Sequence, residues 1–145
     1  MTKQKHDPKM NCPCQSVNKT PVLFSTCCQK YINNTDIPKT AEQLMRSRYS
    51  AFVLENERYL LSSWHTSTKP NAIEFDTKTK WLGLKILSTE MGQEADQKGW
   101  VEFIARYKIG GRAHRLEEHS YFTRESGLWR YVSAESNDIT QINDA

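Results

Sequence analysis

The sequence predicts an α+β fold in which helices precede an antiparallel β-sheet. Apolar residues between Thr40 and His65 recur at steps of three and four, which is the spacing of one helix face. From Trp81 onwards the chain largely alternates between apolar and polar residues, with glycine-containing turns between the alternating stretches. Helices followed by hairpin-connected strands are typical of α+β domains.

The helical segment starts at a capping box, because the Thr40 hydroxyl can accept from first-turn amides while Gln43 reaches back. Its apolar stripe contains Leu44, Met45, Tyr49, Phe52 and Val53. The polar residues of the opposite side are Glu42, Arg46, Ser47 and Glu55. The pattern breaks at Glu55 and Asn56, and a second stripe follows. We therefore predict two helices, or one bent helix, that end at His65.

Four strands are predicted after this segment. They cover Trp81–Met91, Gly99–Ile109, Arg112–Thr123 and Leu128–Ala134. Gly110 and Gly111 permit a tight hairpin because glycine tolerates positive φ, and Gly127 lies in a second turn. Residues 71–75 are predicted to add one helical turn before the sheet.

The composition describes one polar domain. A chain of 145 residues is long enough for one packed core and too short for two. The net charge of +3 favours acidic partners slightly. It is too small to indicate a nucleic-acid-binding surface, so nucleic-acid binding is not expected. No apolar run approaches the roughly 20 residues of a membrane span, and the N-terminus lacks the apolar part of a secretory signal. We expect a cytoplasmic protein without membrane contact.

All four cysteines lie in one short stretch, at Cys12, Cys14, Cys27 and Cys28. In a reducing compartment such clustering favours a metal site, and four thiolates satisfy a tetrahedral zinc ion. Two alternatives stay open. The thiols could cluster without metal, and a pair of disulfides is disfavoured only by the compartment.

The cysteine stretch carries a resemblance. Cys-Pro-Cys, a polar loop and Cys-Cys resemble the zinc-binding motif at the C-terminus of the SecA translocation motor. With the segments LMRSRYSAF, YLLSSWH, TKWLGL, GWVEFIARY and LWRY behind it, the chain resembles the YchJ family from Cys12 to about Ser133. The chain differs from the motif in having Gln15 in place of glycine and a longer gap between Cys14 and Cys27.

The resemblance implies a domain like nuclear transport factor 2, in which helices pack in a bent antiparallel sheet that forms a cone. It divides the chain into a zinc knuckle at residues 1–30, the cone at 31–136 and a polar tail at 137–145. Cones of this kind also pair through the open face of the sheet, so a homodimer is compatible with the sequence, which does not require one.

A concave sheet leaves room for a pocket between helices and sheet. The candidates for its lining are Trp64, His65, Glu118, Ser120 and Arg46. His65 can titrate near neutral pH, and Glu118 would need a partner such as Arg46 or Arg48. The alternative is structural: a helix-terminal histidine is more often a cap, and a carboxylate paired with arginine more often joins sheet to helix.

Two functions are therefore weighed. The first is an adaptor whose zinc knuckle binds a protein partner while the cone serves as a scaffold for a small-molecule ligand. The resemblance supports it, because the zinc form of the motor-protein motif docks a chaperone. The second is an enzyme with the acid–base chemistry of isomerases or dehydratases, in which His65 acts as base and Glu118 as acid or orienting group. It rests on analogy of fold.

Overall fold

The computed structural model describes residues 9–15, 20 and 22–140, and the side chains of all of these except 136–140. Three helices come first: α1 at Gln29–Ile32, α2 at Ala41–Val53 and α3 at Glu57–Ser62. Four strands follow, β1 at Thr79–Met91, β2 at Lys98–Ile109, β3 at Arg112–Glu125 and β4 at Leu128–Thr140. The strands form one antiparallel sheet in the order β1-β2-β3-β4. The predicted α+β class is confirmed.

The start of α2 is capped as predicted. The Thr40 hydroxyl accepts from the Gln43 amide at 3.1 Å, and the Gln43 side chain accepts from the Lys39 amide at 2.7 Å. Glu55 has a φ of 55°, which ends the first helical segment, and the Asn56 side chain then caps α3. The structure therefore has two helices rather than one bent helix.

Helix α2 is buried on more than its apolar stripe. Its buried residues are Ala41, Leu44, Met45, Ser47, Arg48, Tyr49, Ser50 and Ala51. Ser47 belongs to the predicted polar side, but it is fully buried, and its hydroxyl is satisfied by the Tyr59 hydroxyl of α3 at 2.7 Å. The helix is thus enclosed by several neighbours.

Two hydrogen bonds made by backbone groups of the α2 N-terminus attach this helix to the sheet. The Ala41 amide donates to the Gly92 carbonyl at 2.9 Å, and the Trp129 indole donates to the Lys39 carbonyl at 3.0 Å. Gly99 lies so close to Gly92 that a Cβ on Gly99 would stand 2.4 Å from the Gly92 Cα. Glycine is required there because any side chain would collide with backbone.

The inner face of the sheet supplies the rest of the core. Its buried apolar residues are Leu84, Val101, Phe103, Ala105, Phe122 and Trp129. No helix among the described residues is both long and apolar enough to cross a bilayer.

The helical segment ends at Ser62 rather than His65, and the ends of β1, β2 and β3 lie within two residues of the prediction. Two larger differences concern β4 and residues 71–75. Strand β4 continues past Ala134 to Thr140, so the predicted polar tail begins inside the strand. The long β3 provides the backbone partner, since Asn137 pairs with Glu117 and Thr140 with His114. Polar residues do not prevent such pairing, because it is made by the main chain. Residues 71–75 form no helical turn, and 141–145 lie outside the described residues.

Candidate functional site

The four thiols meet at one point, forming what we call the cysteine cluster (Cys12, Cys14, Cys27 and Cys28). All four sulfurs lie within 4.8 Å of one another, and three of the four cysteines are buried. The sulfurs of Cys12 and Cys14 are 3.7 Å apart, those of Cys14 and Cys27 3.6 Å, and those of Cys27 and Cys28 3.9 Å. A disulfide would need about 2.05 Å, so these thiols are free.

The spacing fits a zinc ion. Four sulfurs at about 2.3 Å from a central zinc lie about 3.8 Å apart along each edge of the tetrahedron. The observed separations of 3.6–3.9 Å match that edge. The donor set also fits, because four soft sulfur ligands favour zinc over hard cations such as magnesium or calcium.

Short local elements bring the thiols together. Asn11 and Leu23 form an antiparallel bridge, and the Cys12 amide donates to the Val22 carbonyl at 2.7 Å. A 3₁₀ turn at Pro13–Gln15 carries Cys14, and a second at Phe24–Thr26 precedes the Cys27–Cys28 pair. The two halves of the motif are thus joined by backbone hydrogen bonds.

The two departures from the motif have different outcomes. Gln15 donates its amide to the Cys12 carbonyl at 2.9 Å and is not among the described residues with positive φ, so the position does not need glycine. The longer gap to Cys27 contains residues 16–19 and 21, which lie outside the described residues.

The cluster rests on α2. The Ser50 hydroxyl lies 3.6 Å from the Cys12 sulfur, and the Arg46 guanidinium donates to the Cys14 carbonyl at 3.2 Å. Arg46 also donates to the Glu42 carboxylate at 2.9 Å, which holds the guanidinium in place. Ser50 and Arg46 are four residues apart and share a helix face. The knuckle therefore packs against the polar side of α2.

Proximity alters the acidity of the thiols. Hydrogen bonds from the Cys14, Cys27 and Cys28 thiols lower the pKa of Cys12 below its ordinary value. Hydrogen bonds with Cys12, Cys14 and Cys27 raise the pKa of Cys28, and its burial raises that pKa further. Deprotonation is therefore favoured at Cys12 and opposed at Cys28, and metal binding would release the protons that remain on the cluster.

A second feature is a cavity of about 240 Å³ between α2 and the sheet. Most of its wall is apolar or aromatic, formed by Met45, Tyr49, Phe52, Trp64, Trp81, Phe103, Ala105, Leu116 and Tyr131. Three polar residues complete the lining, namely Arg48, Glu118 and Ser120. A mostly apolar cavity with a few convergent polar groups is the usual form of a small-molecule site.

Arg48 is the polar residue that the helix contributes. It is 3% exposed, and its Nη1 donates to the Leu60 carbonyl at 2.8 Å and to the Ser63 hydroxyl at 2.7 Å. Its guanidinium carbon lies 4.7 Å from the ring centre of Trp64 and 4.4 Å from that of Tyr131. Burial lowers the pKa of Arg48 to about 10, which keeps it charged at neutral pH.

Glu118 and Ser120 face Arg48 from β3. Burial raises the pKa of the Glu118 carboxyl, and the charge of Arg48 opposes that rise. Ser120 is 1% exposed, and its hydroxyl makes no hydrogen bond to any described residue. The two side chains lie two residues apart on one strand and so point to the same side of the sheet.

Residues 40–134 match the family model described as YchJ, middle NTF2-like domain. The chain belongs to the YchJ family. It is 44% identical over 135 residues to a UPF0225 protein of Chromobacterium violaceum, covering 90% of this chain and 96% of that one. A UPF0225 protein of Polaromonas naphthalenivorans is 46% identical over 132 residues, covering 86% and 96%.

Two solved structures resemble this YchJ-family fold. One is the solution structure of a SEC-C motif containing protein from Rhodopseudomonas palustris, with a TM-score of 0.72, 27% identity and coverage of 87% of this chain and 98% of that one. The other is the crystal structure of a SEC-C motif containing protein from Psychrobacter arcticus, with a TM-score of 0.73, 26% identity and coverage of 87% and 82%. The resemblance found in the sequence is confirmed.

The structure separates the predicted pocket residues of this YchJ-family chain. Trp64, Glu118 and Ser120 line the cavity. Arg46 instead lies at the cysteine cluster, because its position on α2 faces the knuckle. Of the two arginines predicted as partners of Glu118, Arg48 is the one that lines the cavity.

His65 does not line the cavity either. Its Nδ1 lies 2.8 Å from the Ser67 hydroxyl and accepts from the Ser67 amide at 3.1 Å, and its own amide donates to the Tyr131 carbonyl at 2.8 Å. These are the bonds of a residue that shapes the loop after α3. The structure therefore gives no convergence of His65 with Glu118, which the enzyme hypothesis requires.

The half-buried Glu118 carboxyl predicts a pH-dependent stability. A carboxyl whose pKa is raised by folding stabilises the protein fully below its ordinary pKa, and this contribution is lost as the pH rises through the raised value. Glu118→Gln keeps the neutral form at every pH. We expect the variant to unfold at a higher temperature than the wild type at about pH 7 and at nearly the same temperature at about pH 4.

Thermal unfolding at the two pH values measures this difference. Glu117→Gln is the matched control, because Glu117 is partly exposed and accepts from Arg115 at 2.8 Å. Its substitution should not stabilise the protein at neutral pH. A Glu118→Gln variant that is less stable than the wild type at neutral pH would show instead that the attraction of Arg48 outweighs the burial of Glu118.

Proposed function

We propose that this YchJ-family protein is a cytoplasmic adaptor that binds zinc through the cysteine cluster and a protein partner through the zinc-shaped knuckle, with the cone domain as its scaffold. The observation that supports the proposal is the cluster of four sulfurs, in which four of the six separations are 3.6–3.9 Å and all lie within 4.8 Å, so that the chain supplies all four ligands. A zinc ion with four protein ligands has no open position for substrate, so its role is structural.

A structural zinc ion would act by fixing the shape of the exposed residues around the cysteine cluster. Leu23 is 43% exposed and lies at the knuckle, where it forms the bridge to Asn11. Ser25 and Thr26 beside it are also exposed. An exposed leucine on a small metal-held turn is suited to contact an apolar patch on another protein. The solved SEC-C motif proteins with the same fold add support for this type of module.

Metal content tests the first half of the proposal. Protein purified without chelator should contain about one zinc ion per wild-type chain by elemental analysis, and Cys27→Ser should lose it. A wild-type chain without zinc, or a variant that retains it, would contradict the assignment of the cysteine cluster.

Partner binding tests the second half. We expect a protein that crosslinks to the wild-type chain to be lost with Cys27→Ser, which lacks zinc, and with Leu23→Asp, which should retain it. Leu82→Asp serves as the matched control, because Leu82 is also exposed but lies on β1. Equal capture by the wild type and Leu23→Asp, with zinc present in both, would exclude the knuckle as the docking surface.

A further inference from the structure

The cavity contains a buried positive charge that makes no direct ion pair with a described side chain. The Arg48 guanidinium is almost fully buried, and both of its hydrogen bonds to described residues go to uncharged oxygens. Among the described side chains, no carboxylate oxygen lies within the 4.0 Å of an ion pair with it. A buried charge without a close partner is costly unless an anion completes the site.

A buried hydroxyl without a partner lies in the same cavity. Ser120 Oγ is buried and makes no hydrogen bond to the described residues, although buried hydroxyl groups normally have a partner. Its neighbour on the strand face, Glu118, also lines the cavity. The guanidinium and the hydroxyl are therefore two donors on one cavity, one from α2 and one from β3.

The remaining wall limits the size and character of a ligand. Trp81 on β1 contacts two rings of α2: the Tyr49 ring edge to face with centres 5.8 Å apart, and the tilted Phe52 ring with centres 6.4 Å apart. The cavity of about 240 Å³ is larger than the roughly 150 Å³ that holds benzene and smaller than a drug-sized pocket of roughly 300 Å³ or more. The space suits one ring or a short branched chain with a polar group.

We propose that this cavity binds a small monocarboxylic acid with an aromatic or branched apolar body. Its carboxylate would lie against Arg48 and Ser120, and its body against the aromatic wall. A single guanidinium matches one carboxylate, whereas a phosphate monoester brings up to two charges into the same apolar space. The proposal goes beyond the adaptor function and does not depend on zinc.

Glu118 provides a way to distinguish an anionic ligand from a cationic one. Its carboxylate lines the same cavity and is attracted by Arg48, so it competes with an anionic ligand for the guanidinium. Replacing it with glutamine keeps the shape and removes the repulsion. A carboxylate ligand should therefore bind Glu118→Gln more tightly than the wild type, while an amine ligand, which needs Glu118, should bind it more weakly.

The test uses the full-length chain and three probes of the same size. They are phenylacetate, its neutral amide phenylacetamide and the cationic phenethylamine. Binding is followed by the fluorescence of the cavity tryptophans and by calorimetry. We expect phenylacetate to bind at least about tenfold more tightly than either analogue, because a hydrogen bond from a charged donor adds about 1.5 kcal/mol or more.

Two variants complete the test. Ser120→Ala should keep the unfolding midpoint, because its hydroxyl has no partner to lose, and should weaken phenylacetate binding by about three- to tenfold. Glu118→Gln should strengthen it. Equal binding of the three probes, no phenylacetate binding at millimolar concentration, unchanged affinity in Ser120→Ala or weaker affinity in Glu118→Gln would each overturn the proposal.

Discussion

Removing the metal is expected to lower the unfolding midpoint of the whole protein, rather than only to loosen the knuckle. The reason is that Cys12, Cys14 and Cys28 are at most 1% exposed and belong to the same core cluster as the helices and the sheet. Metal-binding free energy becomes folding free energy when the site does not exist in the unfolded chain. We expect Cys12→Ser to lose more than about 4 kcal/mol, which is a fall of roughly 10 °C.

The measurement compares thermal unfolding of the wild type, the chelator-treated wild type and Cys12→Ser. Hydrogen exchange should report faster exchange at the Cys12 and Phe24 amides, whose acceptors are the Val22 and Met10 carbonyls. An unchanged midpoint after complete zinc removal would show that the knuckle adds nothing to the stability of the cone.

Ser50→Ala is the matched control for the cysteine variant. It removes the hydroxyl that lies 3.6 Å from the Cys12 sulfur and leaves all four ligands in place. Partners of metal ligands typically change metal affinity by about 10- to 100-fold, so the variant should still hold zinc at saturating concentration and release it sooner to a chelator. Loss of zinc at saturation would mean that Ser50 is needed to assemble the site.

Local patterns were sufficient to predict most of the fold. The capping box at Thr40 and the glycine turns at Gly110 and Gly127 are read from adjacent residues, and each occurs where predicted. Strand ends depend on a distant partner, which is why β4 reaches Thr140 and not Ala134. Pairing across the sheet is made by backbone groups, so side-chain polarity does not limit it.

The cysteine cluster could be predicted because all four thiols lie in one short segment of the sequence. The contacts of the cluster with α2 could not be predicted, because Arg46 and Ser50 look like ordinary polar residues of a helix in the sequence. Only the folded chain shows that the knuckle occupies this face of α2. For the same reason the sequence predicts Arg46 at the cavity, whereas in the structure its guanidinium contacts the Cys14 carbonyl.

A signal for Arg48 did exist in the sequence. Met45, Arg48, Tyr49 and Phe52 follow the i, i+3, i+4, i+7 spacing of one helix face, so the arginine sits within an apolar stripe. A charge at such a position is costly and marks either a structural crosslink or a binding group. In the structure Arg48 makes the crosslink, through the Leu60 carbonyl and Ser63, and it also lines the cavity.

Arg48→Ala is expected to destabilise the protein by about 3 kcal/mol and to abolish carboxylate binding. The guanidinium joins α2 to the last turn of α3 through the Leu60 carbonyl and Ser63, and it packs against two aromatic rings. Relief of burying a charge offsets part of this loss. The loss still dominates, because α3 has only six residues and depends on its tertiary contacts.

Two further variants separate packing from charge in this prediction. Arg58→Ala removes an exposed arginine from α3 and should change stability by less than about 0.5 kcal/mol. Arg48→Met retains much of the packing but no charge, so it should recover part of the stability and none of the phenylacetate binding. If Arg48→Met binds phenylacetate as the wild type does, the cavity selects for apolar shape alone. If Arg48→Ala unfolds at the wild-type midpoint, the arginine is held in the core for its ligand and not for the fold.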